Sequence, residues 1–285
     1  QSAASQKRIN EFLKTQPAII NNAPPRAANE PIPALKGHIQ FEQVSFVYPD
    51  TGIQALQNVS FEVLPGQKLA IVGRTGSGKT SIADLLVRMY DVSGGRILID
   101  GVDIKMHDLF HLRRSIGYVP QDVFLFSDTV LNNISFGKDG ISREDAEFFA
   151  KSAAVHEEIM GLPNQYDTVV GERGVTLSGG QKQRVSIARA FAKKPDIVIL
   201  DDCLSAVDTN TESQILGYMD NTLSDKTAII ITHRIYGMLE FDKIIVLDDG
   251  GVAEEGTHEE LLSRGGYYAE MFEKQSTMEK FYDPT

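Results

Sequence analysis

The 285-residue chain contains no tryptophan, a single cysteine and no long apolar run. The lone Cys203 forbids an internal disulfide and fits a reducing compartment. It reads as a small buried filler beside a strand end, not as a reactive thiol. No stretch approaches the ~18 apolar residues of a membrane-spanning helix, and no secretory leader pattern opens the chain, so these residues are not expected to insert in a bilayer themselves. Positive charge is scarce as well: 28 Lys and Arg face 39 Asp and Glu, a net charge of −11. That balance argues against a nucleic-acid binder working through a basic face. What remains is 42% hydrophobic and 24% charged, enough for a sizeable core in one or two globular domains.

One stretch is chemically explicit. Gly73-Arg74-Thr75-Gly76-Ser77-Gly78-Lys79-Thr80 is a complete GxxxxGK[ST] phosphate loop, or Walker A motif. Before it, residues 68–72 (KLAIV) read as a buried strand. After it, Ile82, Leu85, Leu86 and Met89 recur at i, i+3, i+4 and i+7, the period of a helix with one buried face. The glycines let the backbone turn tightly and aim N–H groups at phosphate oxygens, and the helix start adds partial positive charge. Lys79 is then placed for the β and γ phosphates and Thr80 for Mg²⁺, while Ser81 can donate to a phosphate from the first helical turn. The motif therefore implies a bound nucleoside triphosphate.

Along the chain, residues 1–15 carry Ala4, Ile9, Phe12 and Leu13 on a loosely apolar helical stripe. Residues 16–37 hold five prolines and read as an extended linker. From His38 the pattern alternates through Ile39, Phe41, Val44 and Phe46, and a second strand-like run, ALQNVSFEVL, follows the turn at residues 50–52. Residues 95–101 read as another short strand. The segment from Phe124 to about Ala192 is rich in helix formers. Then 196–200, 228–232 and 243–247 are β-branched runs, apolar on both faces, which belong in a covered, mostly parallel sheet. No repeat at 20–50 residues is visible, and residues after Gln275 read as a polar tail.

A second site element is Ile197-Val198-Ile199-Leu200-Asp201, an apolar strand delivering a carboxylate at its end, the Walker B geometry for Mg²⁺. By itself such a strand is common; together with the phosphate loop it gains force. Between the two lies Leu177-Ser178-Gly179-Gly180-Gln181 ahead of a helix-like run. A hydroxyl and bare backbone amides at a helix start make a second anion site.

Phosphate loop, LSGGQ, apolar strand plus Asp, and His233 in IITHR occur in an order that resembles the ATP-binding cassette family. The resemblance covers about residues 37–275. It implies an α/β fold: a P-loop NTPase (RecA-like) core with a mostly parallel sheet, an antiparallel β subdomain and a helical signature subdomain at about 124–192. It further implies ATP and Mg²⁺ as cofactors, held by residues 73–81, with Thr80, Gln121 and Asp201 around the metal. Tyr48 matches the aromatic that stacks on adenine, Gln121 the Q-loop glutamine, Ser205-Ala206-Val207-Asp208 the D-loop at a dimer contact, and His233 the switch histidine near the γ phosphate. Ser178, Gly179, Gly180 and Gln181 match the signature that closes over the ATP of a second domain, so the partner is another nucleotide-binding domain in a homo- or heterodimer.

Residues 124–129 and 168–174 are similar to the exporter branch, whose 168–174 equivalent touches transmembrane intracellular loops. Residues 1–36 then match the remnant of a preceding transmembrane-domain helix and its linker, with 37–285 as the nucleotide-binding domain on the cytoplasmic face of an inner or plasma membrane. The chain departs from the family at Asp202, where Glu is usual for the water-orienting carboxylate. ATP binding is expected to survive this and hydrolysis to slow. The chain is then either the degenerate half of a heterodimer or a homodimer in which Asp202 is brought within reach. The catalytic set implied is Lys79, Gln121, Asp202 and His233. Two other readings are a nucleotide sensor with little turnover and a soluble, non-transport cassette ATPase.

Overall fold

The computed structural model describes residues 2–14, 16–24, 33–138, 140–171, 174–204, 207, 209–222, 225–233 and 241–282. It opens with helix α1 (Ser2–Lys14), whose Ile9, Phe12 and Leu13 are exposed. Residues 16–24 form no regular element, yet they are pinned to the cassette. The Asn21 amide donates to Asp108 Oδ2 (2.7 Å) and its carbonyl accepts from the Leu109 N–H.

Strand β1 (Ile39–Val47) buries Ile39, Phe41, Val44 and Phe46. The step from 41 to 44 breaks strict alternation. Gln43 takes a left-handed φ of 49° and the register with the next strand shifts there, a β-bulge that restores the inward face one residue late. Strand β2 (Gln54–Val63) pairs antiparallel with β1. The chain then crosses to β3 (Lys68–Gly73), runs through the glycine-rich loop and enters α2 (Lys79–Leu86). That helix stops earlier than the periodicity predicted. Met89 lies beyond its end and is 55% exposed, so it does not complete the buried face.

Strands β4 (Gly94–Ile99) and β5 (Val102–Asp103) return to the first sheet, which is ordered β2-β1-β4-β5. Helix α3 (Leu109–Ser115) is capped by the Asp108 carboxylate and leads into β6 (Ile116–Val119). The expected helical region follows as α4 (Val130–Ser135), α5 (Arg143–Ser152), α6 (His156–Met160) and α7 (Gly179–Ala192). Arg184 of α7, mostly buried, forks both guanidinium-directed bonds of one nitrogen onto the Glu158 carboxylate of α6 at 2.8 Å.

The core strands come next: β7 (Ile197–Asp201), helix α8 (Thr209–Thr222), β8 (Thr227–Ile231), β9 (Lys243–Asp248) and β10 (Gly251–Gly256). Helices α9 (His258–Arg264) and α10 (Tyr267–Tyr282) close the chain, and α10 carries helix past Gln275, where a tail was expected. Among the described residues the second sheet is ordered β10-β9-β3-β8-β7-β6, parallel except at β10.

The β-branched runs are explained by two covered faces. Ile197 and Ile199 of β7 join the core shared with β1, β2 and α2, whereas Val198 and Leu200 point into the core built with α4, α5 and α7. Leu69 and Ile71 of β3 enter the first core, and Ala70 and Val72 a third one with Leu261 and Tyr268. Adjacent residues thus meet different layers, which accounts for the apolar interior of these strands. Among the described residues, no helix is long and apolar enough to cross a membrane.

Candidate functional site

The site is assembled where the parallel strands end. β3 leaves the central position of its sheet through Gly73, Gly76 and Gly78, with φ of 150°, 83° and 98°. These angles disfavour any side chain. Gly78 is also the N-cap of α2, and a Cβ there would meet the Ala55 carbonyl and, at 2.8 Å, Leu56 Cδ2. Gly78→Ala is therefore expected to destabilise the fold by about 2 kcal/mol or more and to weaken nucleotide binding in parallel. Urea denaturation and nucleotide titration of the same variant check both; an unchanged midpoint would mean the loop relaxes freely.

A cavity of about 720 Å³ opens over this loop. Its wall includes Tyr48, Gly73, Arg74, Thr75, Gly76, Gly78, Lys79, Thr80, Ser81, Gln121, Asp201, Asp202 and His233, so residues spread over 186 positions of sequence meet at one opening. Ser77 lies just behind it, buried, with an Oγ that has no hydrogen-bond partner. The Lys79 ammonium donates to the carbonyls of Gly73 (2.9 Å) and Arg74 (2.7 Å). Burial lowers its pKa, and the carboxylates of Asp201 and Asp202 oppose that shift.

Asp201 ends β7 at 1% exposure. Burial pushes its carboxyl up to about 6, against a hydrogen bond from Thr80 that pulls it down. Its Oδ2 is buried with no hydrogen-bond partner. A buried carboxylate oxygen so placed, beside the Thr80 hydroxyl, fits a hard cation. Among the described residues there is no cluster of three His, Cys, Asp or Glu able to hold a metal unaided.

Asp202 leaves the strand with φ 46°, its N–H bonded to the Ile231 carbonyl (2.8 Å). The parallel pairing of β7 with β8 brings His233 next to it: His233 Nδ1 lies 2.9 Å from Asp202 Oδ1. Tyr48 sits at the end of β1 with its ring edge-on to Phe46 and Tyr90, at 4.7 and 5.4 Å between centroids. Cys203, next to the pair of aspartates, is buried, as expected of a filler, and burial raises its thiol well above the usual range.

The LSGGQ residues are not part of this wall. Ser178 is the N-cap of α7; its hydroxyl accepts from the Gln181 N–H, and the Gln181 side chain accepts from the Ser178 N–H, a reciprocal capping box. Gly179 has open space where a Cβ would project. Ser205, Ala206 and Asp208 lie outside the described residues, as do Glu172 and Arg173 of the 168–174 segment. Of that segment, Gly171 borders a cleft of about 300 Å³ with Phe124, Leu125 and Lys182.

Among the neighbours that the sequence reading missed, four bear on the chemistry of the site. Tyr267 and Met271 of α10 reach the cavity wall, and the Arg74 guanidinium rests over the Tyr267 ring at 5.2 Å. Nothing local in the sequence marks them. Asp84 and Tyr118 lie close enough to influence Asp201. Asp84, one turn along α2 from Ser81, was legible from helical spacing alone.

Comparison with known proteins gives this geometry a setting. Residues 56–205 match the model of the ABC transporter family. Mouse ATP-binding cassette sub-family B member 6 is 48% identical over 245 residues, covering 86% of this chain and 29% of the relative. An ATM1-type heavy metal exporter of Novosphingobium aromaticivorans is 47% identical over 259 residues, 91% of this chain and 41% of its own length. A solved structure of a bacterial Atm1-family ABC exporter with ATP bound superposes with a TM-score of 0.86 at 43% identity, covering 96% of this chain and 47% of that one. This chain thus spans less than half the length of these relatives. Since the family match takes in more than half of its residues, the chain belongs to the ABC transporter family, as an ATP-binding domain of the P-loop NTPase fold.

Proposed function

We propose that residues 37–285 are the nucleotide-binding domain of an exporter and that residues 1–36 are the end of a preceding transmembrane-domain helix with its linker. The observation that carries this reading is the convergence of Gln121, Asp201, Asp202 and His233 on the cavity of the phosphate loop. Lys79 binds the terminal phosphates, Thr80, Gln121 and Asp201 hold Mg²⁺, Tyr48 stacks on adenine, and Asp202 orients the attacking water. Mg²⁺ supplies charge neutralisation on the phosphates. His233, with Nδ1 turned to Asp202, keeps Nε2 for a γ-phosphate oxygen. Ser178, Gly179, Gly180 and Gln181 close over the ATP of a second such domain, with Asp208 at the contact between the two.

Hydrolysis then separates the domains, and Gln121 and the 168–174 segment pass the change to transmembrane loops. The relatives named as exporters support this direction of use. The domain works on the cytoplasmic face of its membrane, within an integral transporter. A second reading, a nucleotide-binding cassette with little turnover, is favoured by one residue, the shorter carboxylate of Asp202.

Mg-dependent ATP turnover across a range of protein concentrations tests the proposal. Turnover per chain is expected to rise with concentration, because two chains build each site, and Lys79→Ala is expected to lower it by about a hundredfold or more. Turnover independent of concentration would remove the two-chain sandwich. ATP binding with no turnover at any concentration would favour the second reading.

A further inference from the structure

Stacking on a base needs only the ring of Tyr48, and phenylalanine offers the same ring. The hydroxyl is nevertheless specifically engaged. It lies 2.9 Å from Ser81 Oγ, a side chain of the first turn of α2 that is 3% exposed, and it also reaches Asp84 Oδ2 at 3.5 Å, one turn further along the helix. Phe46 and Tyr90 fix the ring from its edges, so the hydroxyl has little freedom to leave. Tyr90 and Phe46 themselves contact at 5.4 Å, which makes the aromatic seat one unit.

Each of the two hydroxyls carries one proton and accepts with its oxygen. Two orientations of the chain follow. In one, Ser81 donates to the Tyr48 oxygen and Tyr48 donates to the Asp84 carboxylate, so the Ser81 proton points away from the phosphate loop. In the other, Tyr48 donates to Ser81 Oγ, and the Ser81 proton is free to turn to a phosphate oxygen. We propose that the Tyr48 hydroxyl is a positioning group for the phosphate site, turning the Ser81 proton toward the nucleotide, and that Asp84 is the competing acceptor that draws it away. The base subsite and the phosphate subsite are thereby joined by one hydrogen bond. The inference deepens the reading of this cavity as an ATP site and rests on it.

The test is a pair of double-mutant cycles on the full chain, read as Kd for Mg-ADP and for a non-hydrolysable ATP analogue by titration calorimetry. Tyr48→Phe, which keeps the ring, is expected to weaken binding about fivefold, the worth of one hydrogen bond. Ser81→Ala is expected to weaken it about tenfold, since its bond goes to a charged phosphate. The double variant is expected to bind no more weakly than Ser81→Ala alone, because Tyr48 acts only through that oxygen. Asp84→Asn is expected to tighten binding a few fold in the native background and to lose most of that gain in the Tyr48→Phe background.

Equal Kd values for the native chain and Tyr48→Phe would overturn the inference, and so would additive losses for Tyr48→Phe and Ser81→Ala. An Asp84→Asn gain of the same size with and without the Tyr48 hydroxyl would reduce Asp84 to a bulk charge effect and remove it from the proposal. If Ser81→Ala does not fold, the Tyr48–Asp84 cycle decides alone. Failure of the underlying reading looks different: the native chain itself would bind no nucleotide, and Lys79→Ala would change nothing.

Discussion

Asp202→Glu is expected to raise Mg-dependent ATP turnover of this chain by on the order of ten- to a hundredfold, with little change in ATP affinity. Aspartate and glutamate have closely similar reference acidities, so basicity does not separate the two side chains. Reach does. The carboxylate of Asp202 is one methylene shorter than glutamate's and lies beside His233 Nδ1 at 2.9 Å, at the back of the cavity. The longer side chain moves the carboxylate by about 1 Å toward the phosphates, a displacement large enough to govern the rate of a positioned water. Single-turnover kinetics at saturating ATP, with the same protein concentration for both chains, isolate the chemical step.

The backbone adds a second expectation for the same variant. Asp202 has φ 46°. Aspartate tolerates this left-handed conformation better than longer side chains do, so glutamate is expected to lower stability by about 1 kcal/mol or less while it raises the rate. A native chain that turns over readily, and gains less than a few fold from glutamate, would mean that Asp202 is a working carboxylate and that two identical domains suffice. A nearly silent native chain switched on by glutamate would identify the degenerate half of a heterodimer and direct attention to a different partner domain.

The phosphate loop and its flanks were legible because their chemistry is local. Three glycines, a lysine and a hydroxyl at fixed offsets define the turn, and the strand before it and helix after it announce themselves by period. The Asp201 strand was legible for the same reason, as were the β-branched runs that fill both faces of the parallel sheet. Pairing was not. Residues 95–101 read as a strand, but the place of β4 (Gly94–Ile99) beside β1 depends on which edges remain after every other strand has found a neighbour. The bulge at Gln43 hid in a pattern of hydrophobic residues that merely looked one residue out of step. In the site, Tyr267 and Met271 reach the cavity from α10, almost two hundred residues after the phosphate loop (267 against 73–80), and no spacing rule connects them. Asp202 was visible as a departure from the family's usual residue, but its left-handed backbone and its contact with His233 belong to the fold.

Arg88 is the clearest case of a residue that the periodicity passed over, and its loss is expected to have the largest effect on stability. Arg88→Ala is expected to cost about 3 kcal/mol or more in urea denaturation. The helix that starts at the phosphate loop ends in a Schellman motif: Met89 N–H donates to the Asp84 carbonyl (2.8 Å) and Arg88 N–H to the Leu85 carbonyl (3.1 Å). Glycine is usual at the left-handed position of this motif, yet here Arg88 takes it, with φ 50° and 0% exposure. The side chain accounts for the choice. Its guanidinium bonds Asp91 at 3.2 and 3.4 Å, the Lys105 carbonyl at 3.5 Å and the Ile20 carbonyl of the linker at 3.3 Å. Arg113 donates in turn to the Val87 and Arg88 carbonyls. Alanine would leave the Asp91 carboxylate without its buried partner, which is the expensive way to break an ion pair. Arg88→Gly separates the two contributions. It relieves the left-handed backbone, so it is expected to be about 1 kcal/mol more stable than Arg88→Ala while remaining far below the native chain. Arg88→Lys presents a single ammonium to a set of acceptors arranged for a planar fork and is expected to recover less than half of the loss. Because α2 is only two turns long, a loosened Arg88 end is also expected to reach Lys79 and Thr80 at the other, as weaker ATP binding at unchanged pH and Mg²⁺. A loss below 1 kcal/mol for Arg88→Ala would mean that the apolar contacts of α2 fix the helix without this clasp.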